Sequence, residues 1–188
     1  MPSRVKIFTQ LILLLCAFPV FADSDEQNDK KALSAFMISD AVTRYHKSAY
    51  GYAIFPNIAK GGLGVGAAHG KGRVYKGGKK TGDVTMTQLS IGFQAGGQAY
   101  RQLIYFQDKR AFNEFISGAF EFSAQAEAIV ITSSAGAQAG TEGASASANA
   151  NQSEAGYYKG MIVFTMGKGG LMYQAVLGGQ KYDYTAVK

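Results

Sequence analysis

A glycine-punctuated, alternating segment that occurs twice constrains this chain most. Tyr50 to Gly72 reads YGYAIFPNIAKGGLGVGAAHGKG, and part of it returns as VFTMGKGGLMYQAV from Val163 to Val176. In each copy an aromatic end, Phe55 or Phe164, leads to Lys-Gly-Gly-Leu, Lys60 to Leu63 and Lys168 to Leu171. An apolar run, a Gly-Gly pair free to take positive φ, and a second apolar run predict strand, turn, strand. The repeat points to a sheet before it points to any chemistry.

A period of two continues beyond the repeat. Phe120, Phe122, Ala124, Ala126 and Ala128 alternate with Glu121, Ser123, Gln125 and Glu127, the pattern of a strand with one buried and one wet face. Through Val84, Met86, Leu89, Ile91, Phe93 and Ala95 the apolar phase slips by one near Gln88, which predicts a bulge there. Further strands are expected at 102–106, 159–166, 171–177 and 181–185. Ahead of the sheet, Leu33, Phe36, Met37, Ala41 and Tyr45 share one helical stripe, with Lys30, Lys31, Ser34, Asp40, Arg44 and Lys47 mostly opposite. Such a helix covers one end of the sheet or lies in a membrane interface. A short helix is expected between strands, capped by Asp108, packed through Ala111, Phe112, Phe115 and Ile116, and ended by Gly118. The expected fold is therefore α+β: a curved antiparallel sheet, barrel-like or a sandwich, with one N-terminal amphipathic helix and one short helix.

Residues 1–22 read as a signal peptide. Arg4 and Lys6 form a basic start, Ile7 to Phe18 an apolar run, and Val20-Phe21-Ala22 a cleavage site, so the mature chain should begin at Asp23. Cys16 follows Leu15 where a lipidation site wants a small residue, so no lipoprotein anchor is expected. Residues 23–188 suit a single exported domain, in the periplasm or cell envelope, that holds itself together without disulfides. Within it, residues 133–152 are low in complexity and read as a long loop.

Catalytic signals are weak. His46 and His69 are the only histidines, with no cysteine in the mature part and neither HExxH nor GxSxG spacing. Each histidine reads as a polar surface residue, and Glu121 and Glu127 lie too far apart on one strand face for an acid and base pair. Gly62-x-Gly64-x-x-Ala67 mimics a dinucleotide fingerprint but continues as strand. No catalytic residue, cofactor or metal site is expected. The chemical signal is basic: Lys71, Arg73, Lys76, Lys79 and Lys80 surround Gly77-Gly78, with Lys60 and Lys168 at the repeated Lys-Gly-Gly as weaker candidates. Cleaving the leader lowers the formal charge from +6 to +4, a mild cationic bias that is compatible with an anionic surface but too small to name one. Export and the lack of a recognised motif speak against nucleic acid.

YGYAIFPNIAKGGLGVGAAHGKG, followed by SIGFQAGGQAYRQLIYFQDKRAFNEF, FEFSAQAEA and GYYKGMIVFTMGKGGLMYQAVLGGQKYDY, resembles the SYLF lipid-binding domain family in a bacterial form, from about Ala32 to Tyr184. The resemblance implies a non-enzymatic protein that binds an anionic phospholipid membrane surface peripherally, such as phosphatidylglycerol or cardiolipin, here through the basic hairpin. Eukaryotic relatives are associated with phosphoinositides and actin. A small outer-membrane β-barrel, or a structural or antigenic envelope protein without lipid binding, would use the same export signal and alternation.

Overall fold

The structure, a computed structural model, describes residues 23–118, 128–130, 156–170 and 179–187. The leader, the strand expected at 120–127, the loop at 133–152 and the strand expected at 171–177 lie outside the described residues.

The dominant element is one hairpin. Strands β1 (Gly51–Lys76) and β2 (Lys79–Phe106) run antiparallel, joined by Gly77 and Gly78 at φ 55° and 77°. Positive φ at both central residues is what a two-residue turn matching strand twist requires, and glycine at both positions supplies it. At 26 and 28 residues the strands far exceed the usual length of about 3–10. They bend until β1 crosses itself. Tyr52 near its start stacks on Tyr75 near its end, ring centroids 4.9 Å apart. A Cβ on Gly72 would lie 2.5 Å from the Ile54 carbonyl oxygen, and one on Gly51 would lie 2.6 Å from that of Tyr75. Only glycine permits this approach.

The Lys-Gly-Gly segments are not turns. Gly61 and Gly62 pair in register with Gly97 and Gly96 in mid-hairpin, and Gly169 and Gly170 end strand β4 (Met161–Gly170). Both glycine pairs lie within extended strands and not at a reversal of the chain. The predicted bulge at Gln88 is also absent, since pairing runs unbroken from Gly82 to Ile91 along that stretch of β2. Gln88 is buried, accepting from Gln180 Nε2 at 3.3 Å, so a hydrogen-bonded glutamine occupies an inward position. The register shifts instead beyond Ile91, between Phe55 and Ile58, and next to the turn between Val74 and Tyr75.

The other edge of β2 takes β4 along residues 98–106 and β5 (Gln180–Ala186) along 82–88, both antiparallel. Strand β3 (Ala128–Val130) pairs with β4 in parallel, which departs from a wholly antiparallel sheet. Among the described residues there are five strands, and they do not close on themselves.

Helices cover both faces. The expected N-terminal helix is two helices, α1 (Asp23–Phe36) and α2 (Asp40–Ser48), separated at Met37–Ser39 where Ser39 turns extended and Asp40 opens the next first turn. Its stripe survives the break: Phe36 and Ala41 are buried, and Leu33, Met37 and Tyr45 pack beside them on Ile54, Leu103, Tyr105 and Phe164. The helices thus pack on the sheet. Helix α3 (Lys109–Ile116) follows expectation, its Ala111 amide donating to Asp108 at 2.8 Å and Gly118 at φ 71° beyond its end. It packs Phe112 and Phe115 against Phe55, Met86, Phe106 and Tyr182 on the inner face.

Candidate basic cleft

Alternation along the second half of β1 decides where the basic residues point. Even positions, Ala68, Gly70, Gly72 and Val74, are buried inward, and odd positions, His69, Lys71, Arg73 and Tyr75, face the side carrying α1. The five-residue basic cluster consequently divides.

Arg73 leaves the set of exposed candidates. It is 5% exposed, its Nε donates to Asp29 Oδ2 at 2.6 Å, and its Nη2 pairs with Asp29 Oδ1. The Tyr75 hydroxyl donates to the same carboxylate at 2.7 Å. Burial alone would lower the Arg73 pKa, but the Asp29 hydrogen bond and the charges of Asp29 and Asp25 raise it. For Tyr75, burial and then the bond to Asp29 push the pKa up, so the phenol stays protonated. Asp29, Arg73 and Tyr75 clamp α1 to β1. The sequence carried a signal for it, because Asp29 precedes Leu33 and Phe36 by four and seven residues and so sits on the apolar stripe.

The remaining hairpin cations are exposed. Lys80 contacts Asp83 at 2.7 Å, and Lys76 lies 4.9 Å over the Tyr50 ring. Lys71, Lys76 and Lys79 form no ion pair among the described residues.

Lys60 and Lys168 part company. In β4 Phe164 and Lys168 are four residues apart, so both face the side of α1; in β1 the irregularity between Phe55 and Ile58 keeps Phe55, Ile58 and Lys60 facing inward. Lys60 is accordingly buried, its pKa lowered by desolvation, with no ion pair among the described residues. Lys168 is exposed and donates to Asn57 Oδ1 at 3.1 Å.

What these placements assemble is a cleft of about 610 Å³ between α1 and the crossing of β1. Lys31 enters from α1, Lys71 and His69 from β1, Arg101 from β2 and Lys168 from β4. Lys31 and Arg101 were missed as site residues because only the fold brings them here. His69 sits on the rim in mid-strand, whereas His46 is half-buried, bonded through Nδ1 to the Tyr105 hydroxyl at 3.0 Å, with its pKa lowered by desolvation. Among the described residues no three His, Cys, Asp or Glu side chains group to hold a metal.

No family model matches the chain. A curated relative, Beta cell expansion factor A of Aeromonas veronii, is 34% identical over 137 residues, covering 71% of this chain and 45% of that protein. The chain thus spans less than half of that relative's length.

Proposed function

We propose that this protein binds anionic membrane lipid peripherally, without catalysing a reaction, as an exported protein of the cell envelope. The observation that carries this reading is the set of exposed lysines on the hairpin, Lys71, Lys76 and Lys79, that no carboxylate neutralises among the described residues. A charged surface without internal partners attracts counter-charge from outside. The resemblance to the SYLF lipid-binding family supports the same reading and supplies the lipid. The basic hairpin is narrower than its sequence suggests, because Arg73 serves the α1 clamp and Lys80 is shared with Asp83.

At about 1 kcal/mol per basic residue near an anionic bilayer, three lysines supply about 3 kcal/mol, short of even millimolar affinity. Attraction at the tip therefore needs a second contribution. Flotation with phosphatidylglycerol-containing and pure phosphatidylcholine vesicles tests the reading. The protein should float only with the anionic vesicles, and Lys76→Gln with Lys79→Gln should weaken binding about tenfold at low salt, with little effect near 0.5 M where fields are screened within a few ångströms. Equal flotation with both lipids, or with neither, overturns it.

A further inference from the structure

The cleft beside α1 holds more positive charge than the protein itself compensates. Lys31, Lys71, Arg101 and Lys168 converge on it from four different elements, and none forms an ion pair among the described residues. Its one acidic lining residue, Asp25, is mostly exposed and faces Arg73 at 3.7 Å. Arg73 is already matched by buried Asp29, so this pair forms a fixed wall and leaves the other cations uncompensated. Four like charges lining one concavity sum to a positive potential there, so an anion entering it is attracted from several sides at once.

The shape of the cleft selects the anion. Lysines act as point charges, Arg101 offers a planar fork, and Asn28 and Asn57 add amide groups at the rim. A tetrahedral group with several oxygens engages donors arriving from different directions, as a single planar carboxylate does not. A volume of about 610 Å³ admits a phosphate with a glycerol or sugar attached. The walls are set in advance: a Cβ on Gly70 would lie 2.5 Å from Ile58 Cγ1 and 3.1 Å from the Asn57 oxygen, so the crossing that brings Asn57 beside Lys71 is closely packed.

We propose that this cleft is a phosphate-binding site that receives the headgroup of a phospholipid, the second contribution that the membrane reading above requires and on which this inference rests. Lys71 and Lys168 hold the phosphate oxygens, Arg101 and Lys31 flank them, and the hairpin tip supplies long-range attraction. A lipid phosphate and a soluble phosphate ester share this chemistry, and the test separates them.

Two variants remove the same net charge: Lys71→Gln with Lys168→Gln in the cleft, and Lys76→Gln with Lys79→Gln at the tip. All four side chains are exposed, so both proteins should keep the parent melting temperature. Against phosphatidylglycerol vesicles near 0.5 M salt, the cleft variant should bind about tenfold more weakly than the parent and the tip variant about equally, because direct contacts survive screening better than a diffuse field. Glycerol 3-phosphate should compete for the parent and bind it in calorimetry, and Lys71→Arg with Lys168→Arg should restore binding. Equal behaviour of the two Gln variants, with the parent still floating, overturns the cleft and leaves the lipid reading intact. Calorimetric binding of glycerol 3-phosphate that the cleft variant loses, without flotation of the parent, keeps the phosphate site and removes the membrane as its source. Neither binding nor flotation ends both.

Discussion

At the scale of single residues, Asp29 determines more than any lysine. The residue is 3% exposed and its carboxylate serves both Arg73 and Tyr75, so removing it strands a buried guanidinium. Breaking one side of a buried pair costs about 3–5 kcal/mol, whereas replacing both partners by apolar groups of similar size is often close to neutral. Asp29→Ala should therefore lose about that much in urea unfolding, and Asp29→Leu with Arg73→Met should recover most of it. Similar losses in the single and double variants would show that the stranded guanidinium is not the source of the loss. Lys60 sits in the opposite situation, since its charge is buried without a partner among the described residues and desolvation lowers its pKa. The sign follows directly: the folded state disfavours the proton, so the associated stability is present above the ordinary lysine range and lost as pH falls towards neutrality. Lys60→Met should then raise the melting temperature at pH 7 by about 2–4 °C, the change expected for about 1 kcal/mol in a domain of this size. A fall instead would mean that Lys60 has an anionic partner in the folded protein.

At the scale of elements, what could be read from sequence depended on how many structures one residue type permits. Helix α3 was legible because Asp108 and Gly118 are start and stop signals with local causes, and the Gly77-Gly78 turn because alternating strands flank it. Lys-Gly-Gly was misread because glycine is found in turns and within paired strands alike, and for Gly61 and Gly62 only the distant partners Gly97 and Gly96 decide between them. Gln88 was misread because a buried glutamine looks like a break in phase until Gln180 is placed beside it. The cleft was half legible: Lys71 and Lys168 stood out, while Lys31 and Arg101 enter only through α1 packing and the β2–β4 register. The crossing itself is testable. At Gly72 an added Cβ meets the Ile54 carbonyl oxygen at 2.5 Å and Phe55 Cδ1 at 2.6 Å, and backbone there cannot rotate away. Gly72→Ala should cost about 1–3 kcal/mol by overpacking, while Gly97→Ala, where the nearest atom is 3.8 Å away, should cost much less. Equal melting temperatures for the two variants would contradict the self-crossing of β1.

At the scale of the whole molecule, the distribution of polarity over the curled sheet separates two ways of meeting a membrane. A transmembrane barrel presents an outward apolar band about 25 Å tall, flanked by aromatic girdles, and often keeps its interior polar. Here the described residues are arranged the other way. Phe55, Ile58, Met86, Ile104, Phe106 and Tyr182 fill the inner face, while Asn57, His69, Lys71 and Lys168 are outward and exposed. Large exposed apolar side chains among the described residues are confined to Ile38, Leu89, Tyr158 and Val187, spread over separate elements. No described helix is long and apolar enough to cross a bilayer. In the proposed peripheral reading charge makes the first contact with the membrane, and exposed charge is screened over about 10 Å at 0.1 M salt. Membranes carrying the protein should therefore release it into about 1 M salt or alkaline carbonate, with the cleft variant released at lower salt than the parent. Retention through both washes, together with a gel mobility that changes on heating, would mark an integral barrel and displace the peripheral reading.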